Sequence, residues 1–159
     1  MSARGDALAK QFEAKAADVT GVLEKLSDAD WKKVTGNEKW AVGITAHHLA
    51  GAHEGILGLL KTVAAGQSMP NFTLDMLHEM NAKHAKDFAG CTREETLALH
   101  TKGVAAAAAA IRGFSDAELD KSGTVLSGNP PMTAQQVIEG ILINHMNEHL
   151  GSIRATVGP

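Results

Sequence analysis

Apolar residues return at steps of three, four and seven along almost the whole chain, and nowhere do they alternate. In the first segment Leu8, Phe12, Val19, Leu23 and Leu26 follow this spacing with charges between them. That is the period of a helix with one buried face, and it predicts helix A over residues 6 to 26. The same pattern predicts helix B from Val42 to Ala65, ended by Gly66 and Pro70. A third helix is predicted in two pieces. The first runs from Thr73 to Ala89 and stops at Gly90, and the second opens on the capping box Thr92-Arg93-Glu94-Glu95 and runs to Arg112. The alanine run 105–110 fits a closely packed helix, since alanine has the highest helix propensity. Ser115-Asp116-Ala117-Glu118 is a further capping box that starts a short turn. After a Gly/Pro-rich loop, Thr133-Ala134-Gln135-Gln136 caps helix D, predicted to continue to Thr156. No segment reads as a strand. The expected fold is all-α, a four-helix bundle with an interrupted third helix, forming one domain over residues 1–159.

Composition narrows the function classes. Fifteen Lys and Arg against eighteen Asp and Glu, mixed along the chain without a basic run, argue against binding to a nucleic-acid backbone. No apolar run reaches the ~18 residues of a membrane span, and the N-terminal stretch Met1 to Asp6 leads into an amphipathic segment, so no membrane partner and a cytoplasmic location are expected. The single cysteine, Cys91, sits between the two pieces of the third helix with no His/Asp partner pattern and reads as an incidental thiol. With no Tyr and 4% aromatic residues, the core rests on Leu, Ile, Val, Met and Ala. Met76 and Met80 read as core filler, and His78, His84 and His100 as exposed by default.

The chemistry-bearing residues are histidines. In helix D, Ile138, Leu142, His145, His149 and Ile153 form one stripe, so His145 and His149 stand one turn apart and face the bundle. In helix B the stripe is Thr45, Leu49, Ala52, Ile56, Leu59 and Val63. His48 lies along its edge, His47 falls on the solvent side, and His53 is turned ~140° from His48, too far to share an ion with it. One inward histidine opposite an i, i+4 pair makes a three-imidazole cluster suited to a divalent transition metal, with coordination positions left open. The competing reading is three core histidines bonded to carbonyl or side-chain partners. Residues 145–149 also spell H-x-x-E-H, the inverted zinc-peptidase motif, whose hosts take another ligand well downstream; only ten residues follow His149, which argues against that reading.

The segments EKWAVGITAHHLAGAHEGILGLL and HMNEHLGSI resemble the DinB/YfiT-like superfamily of helical bundles, specifically in Trp40, in His-His-Leu-Ala at 47–50 and in His-x-x-x-His at 145–149. The resemblance implies an up-down-down-up bundle holding zinc, nickel or a similar ion through His48, His145 and His149. It implies chemistry on a small-molecule substrate, chiefly transfer of a low-molecular-weight thiol to an electrophile or isomerisation using such a thiol. A metal-dependent hydrolase and a non-catalytic metal- or ligand-binding bundle with a stress-response role are the alternatives. The thiol-dependent isomerases of this type use a glutamate ligand, whereas the matching positions here are all histidine. Asn144 and Glu148, together with His47, lie beside the ligands and could orient substrate or pass protons, or be plain surface. Pairing of helices A and B in related bundles, with Gly51, Gly55 and Gly58 on a small-residue face, makes a homodimer the expected assembly.

Overall fold

The computed structural model describes residues 2–158, so Met1 and Pro159 of the expected domain lie outside the described residues. Four long helices form the bundle: α1 (Ala3–Lys25), α3 (Val42–Ala64), α5 (Arg93–Gly113) and α8 (Asn144–Val157), with short α2 (Asp28–Lys32) and α6 (Asp116–Asp120) in the connections. Helix starts follow local capping chemistry. Ser27 with Asp30, Thr92 with Glu95, Ser115 with Glu118 and Thr133 with Gln136 each form a complete capping box, in which side chain and backbone satisfy each other's free groups. Ser2 caps α1 through its hydroxyl, and so the helix begins three residues before the expected start.

The core lies between α1, α3, α5 and α8. Phe12, Leu23, Leu49, Leu60, Ile111, Leu142, Met146, Leu150 and Ile153 are all at most 1% exposed. Two of the six alanines at 105–110, Ala107 and Ala108, are buried in it, which allows α5 to approach its neighbours closely. On α3 the buried face is Leu49, His53, Leu57, Leu60 and Val63, while Ala52, Ile56 and Leu59 of the expected stripe are only partly covered. The stripe is displaced because α3 is contacted from more than one side.

The break in the third helix falls between Phe88 and Thr92, and the two pieces differ in role. α4 (Leu74–Asp87) contributes no buried residue and packs on α3, outside the bundle proper. Met76 and Met80 are therefore 45% and 58% exposed rather than core filler. Helix D is likewise compound. A four-residue α7 (Ala134–Val137) passes into a π-helical stretch, Ile138–Ile143, before α8 begins. One feature was absent from the sequence reading: Ser122–Gly123 (β1) and Met132–Thr133 (β2) pair antiparallel, closing the Gly/Pro-rich loop across its base. Among the described residues, no helix is long and apolar enough to cross a membrane.

Candidate metal centre

His48, His145 and His149 come together between α3 and α8. One nitrogen from each lies within 4.8 Å of the other two. His145 Nε2 stands 3.0 Å from His48 Nε2, and the three ring centroids are 4.4 to 4.9 Å apart. The helices explain this. His145 and His149 are one turn apart on the flank of α8 facing α3, beside the buried Met146 and Leu150.

The third imidazole is held from behind by a residue that the sequence reading did not single out. Glu38 accepts a hydrogen bond from His149 Nδ1 at 2.8 Å and one from Ser152 Oγ at 2.6 Å. Glu38 reaches α8 because the segment before α3 folds back on itself. Thr35 N–H donates to the Trp40 carbonyl, Val42 N–H donates to the Lys33 carbonyl, and Lys39 adopts a left-handed conformation with φ 63°. The same turn sets Trp40 edge-on against His48 with centroids 5.3 Å apart. Burial alone would raise the Glu38 carboxyl, but hydrogen bonds from Ser152, Thr35 and His149 outweigh it and hold the group below the usual carboxylate range. The anion fixes the proton of His149 on Nδ1 and turns Nε2 toward the other two rings.

Burial, reinforced by the neighbouring imidazoles of His149 and His84, pushes His48 down to about 4. Burial first, then His149 and His48, pushes His145 lower still. Both rings are neutral at pH 7 and offer lone pairs. The nitrogens around a tetrahedral ion at ~2.0 to 2.1 Å stand roughly 3.3 to 3.4 Å apart, close to the His48–His145 separation. Three imidazoles, one backed by a carboxylate, are a donor set that fits a divalent transition metal.

Other histidines differ from expectation. His47 is 6% exposed, not on the solvent side: its Nδ1 lies 2.8 Å from His84 Nε2 and its ring stacks on Phe88 at 4.2 Å. The cause is α4, which covers this side of α3 and brings His84 and Phe88 with it. His84 is consequently half-buried, with its ring 5.5 Å from that of His48. His100, expected to be exposed, is 1% exposed and bonded to His53. His78 is exposed as expected. Asn144 and Glu148 stand on the exposed side of α8 and bond to each other at 3.0 Å. Cys91 donates to the Gly43 carbonyl at 3.3 Å, and burial raises its thiol above the usual range. Of the small-residue face, Gly51 meets Leu99 and His84 of its own chain, whereas Gly55 and Gly58 are open.

Similarity to known proteins agrees with this fold. YfiT from Bacillus subtilis, described as a probable metal-dependent hydrolase with an unusual four-helix bundle topology, superposes with a TM-score of 0.77 at 18% identity, covering 98% of this chain and 87% of that one. A mycothiol-dependent maleylpyruvate isomerase superposes with a TM-score of 0.71 at 16% identity, covering 97% of this chain and 60% of that one. No curated protein matches. The DinB superfamily matches over residues 11–153. With that match spanning nearly the whole chain, and with its four-helix bundle shared with YfiT, this protein belongs to the DinB superfamily.

Proposed function

We propose that His48, His145 and His149 hold a divalent ion, zinc or nickel, and that the protein is a metal-dependent enzyme transferring a low-molecular-weight thiol to an electrophilic small molecule. The observation that carries the metal reading is the convergence of three imidazoles with Glu38 locking His149 from behind. The thiol reading is supported by the superfamily and by the mycothiol dependence in the description of one structural neighbour. When bound, such an ion supplies Lewis acidity and lowers the pKa of a thiol or water toward neutrality.

The residues around the site divide the remaining tasks. Glu38 sets the orientation and tautomer of His149, and Trp40 packs against the edge of His48. The His84 ring lies against His48 on the side next to α4, and His47 and Phe88 pack on His84 in turn. The Asn144–Glu148 pair, each residue one position before a ligand, is the place where a substrate is oriented and a thiol proton received. In the transfer itself the sulfur–carbon bond forms as the leaving group departs with its bonding pair. A hydrolase is the second reading, favoured by the description of YfiT, with water in place of the thiol.

Metal-loaded protein assayed with a panel of thiols and a chlorobimane electrophile, beside a panel of esters and amides, tests the reaction. Thermal melts with and without zinc or nickel test the site. Replacing His149 with alanine is expected to remove most of the metal-dependent stabilisation, whereas replacing His47 leaves most of it. Equal metal responses in wild type and His149→Ala refute the ligand assignment.

A further inference from the structure

A second chain of imidazoles runs through the core beside the site. His53 Nε2 lies 3.0 Å from His100 Nδ1, and His100 Nε2 lies 3.0 Å from the Ala16 carbonyl oxygen, so rings from α3 and α5 terminate on the backbone of α1. Both rings are 1% exposed. The fold makes room for His53 at Gly103, where a Cβ would stand 2.9 Å from His53 Cβ, and Phe12 closes over the ring edge-on at 5.8 Å.

This arrangement allows one pattern of protons. A carbonyl oxygen only accepts, so His100 carries its proton on Nε2. Burial keeps His100 neutral, which leaves its Nδ1 bare. A bare nitrogen accepts, so His53 carries its proton on Nε2. Burial, with His100 beside it, keeps His53 neutral as well, which leaves its Nδ1 an acceptor. That Nδ1 is buried and has no hydrogen-bond partner among the described residues. His145 has the complementary deficit. Its Nε2 faces His48, so with that nitrogen on an ion the proton sits on Nδ1, which is also buried without a partner. One unmatched donor on α8 and one unmatched acceptor on α3 thus occur on helices that pack together, and His53 is among the neighbouring imidazoles that, after burial, hold His145 down.

We propose that His53 is a positioning residue for the metal centre: its bare Nδ1 receives the Nδ1–H of His145 through one bridging water, and so fixes which His145 nitrogen faces the ion. The proposal rests on the three-histidine metal reading. His149 is backed by a carboxylate, and His145 is backed by a neutral relay anchored on the Ala16 carbonyl.

Two substitutions separate this role from a structural one. His53→Asn retains an acceptor near the position of Nδ1 and loses the reach to His100. His53→Gln retains a donor toward His100 and loses the acceptor toward His145. A His53 that matters only as a link between α3 and α5 predicts the higher melting temperature for Gln and the same zinc affinity for both. The proposal predicts zinc affinity, measured by competition with a chromophoric chelator, within about threefold of wild type for Asn and weaker by about tenfold or more for Gln. Equal affinities, or tighter binding by Gln, overturn it. Should either variant fold poorly, ¹⁵N spectra of the ring nitrogens in zinc-loaded wild type read the tautomers directly. His53 protonated on Nε2 with His145 protonated on Nδ1 is expected, and His53 protonated on Nδ1 overturns the proposal. Wild type that binds no zinc overturns this proposal together with the metal reading, whereas tight zinc binding that is equal in Asn and Gln overturns only the role of His53.

Discussion

Replacing Glu38 with glutamine removes one charge and almost no shape. The carboxylate is 9% exposed and accepts from His149 Nδ1 and Ser152 Oγ. A glutamine oxygen can still accept from His149, and its amide can donate to the Ser152 hydroxyl, so the hydrogen bonds survive in number. What disappears is their charge assistance, which roughly doubles the strength of such a bond. The metal-free fold changes little, because the cost of burying an anion disappears with it. Metal affinity is expected to fall about 10- to 100-fold, the usual effect of altering a residue behind a ligand. At free zinc a hundred times the wild-type Kd, the wild-type stabilisation is ~2.7 kcal/mol, and it drops to ~1.4 kcal/mol for a tenfold loss and ~0.4 kcal/mol for a hundredfold loss. Chelator competition at pH 7 and urea unfolding with and without zinc measure both quantities. Equal zinc affinity in Glu38→Gln and wild type would show that His149 does not depend on this carboxylate and would refute the reasoning.

Acid should weaken the metal-free fold well before carboxylates titrate. Burial lowers His53 to about 3 and also lowers His100, against ~6.5 for an exposed histidine. The unfolded chain therefore binds more protons below 6.5, and stability present above that pH is lost as pH falls toward the folded value. Each such histidine contributes up to ~1.4 kcal/mol per pH unit, and an unchanged urea midpoint from pH 7 to pH 5 would contradict this. Gly43→Ala should cost about 1 to 3 kcal/mol by overpacking, since the added Cβ would stand 2.2 Å from Trp31 Nε1, which donates to the Cys91 carbonyl. A wild-type unfolding midpoint in that variant would show that α2 yields freely.

What could be read from the sequence was local or had a helical period. The capping boxes at Thr92, Ser115 and Thr133 formed where their spacing placed them, because both partners lie within one turn. The convergence of His48, His145 and His149 could be read because each belongs to one face of one helix. Glu38 was not, since its partner is 111 residues away and the turn carrying it has no period. His47 was assigned to the wrong environment because the side of α3 it occupies is polar in sequence and covered only by α4. Met76 and Met80 misled for the opposite reason: their spacing resembles a buried face on a helix that buries nothing.

The π-helical stretch before α8 governs how His145 and His149 reach His48. The core residues Ile138, Leu142, Met146 and Leu150 follow one another at steps of four, and on an uninterrupted α-helix three such steps accumulate ~120° of rotation. A π turn holds one extra residue and takes back ~100° of it, so all four side chains point inward. The segment Ile138–Ile143 thus works as a built-in insertion that sets the azimuth of everything after it. Deleting a single residue there would restore α geometry, and His145 and His149 would swing ~100° about the axis relative to the Thr133 cap, away from His48. The meeting of His48, His145 and His149 therefore depends on the length of a segment that contributes no residue to it.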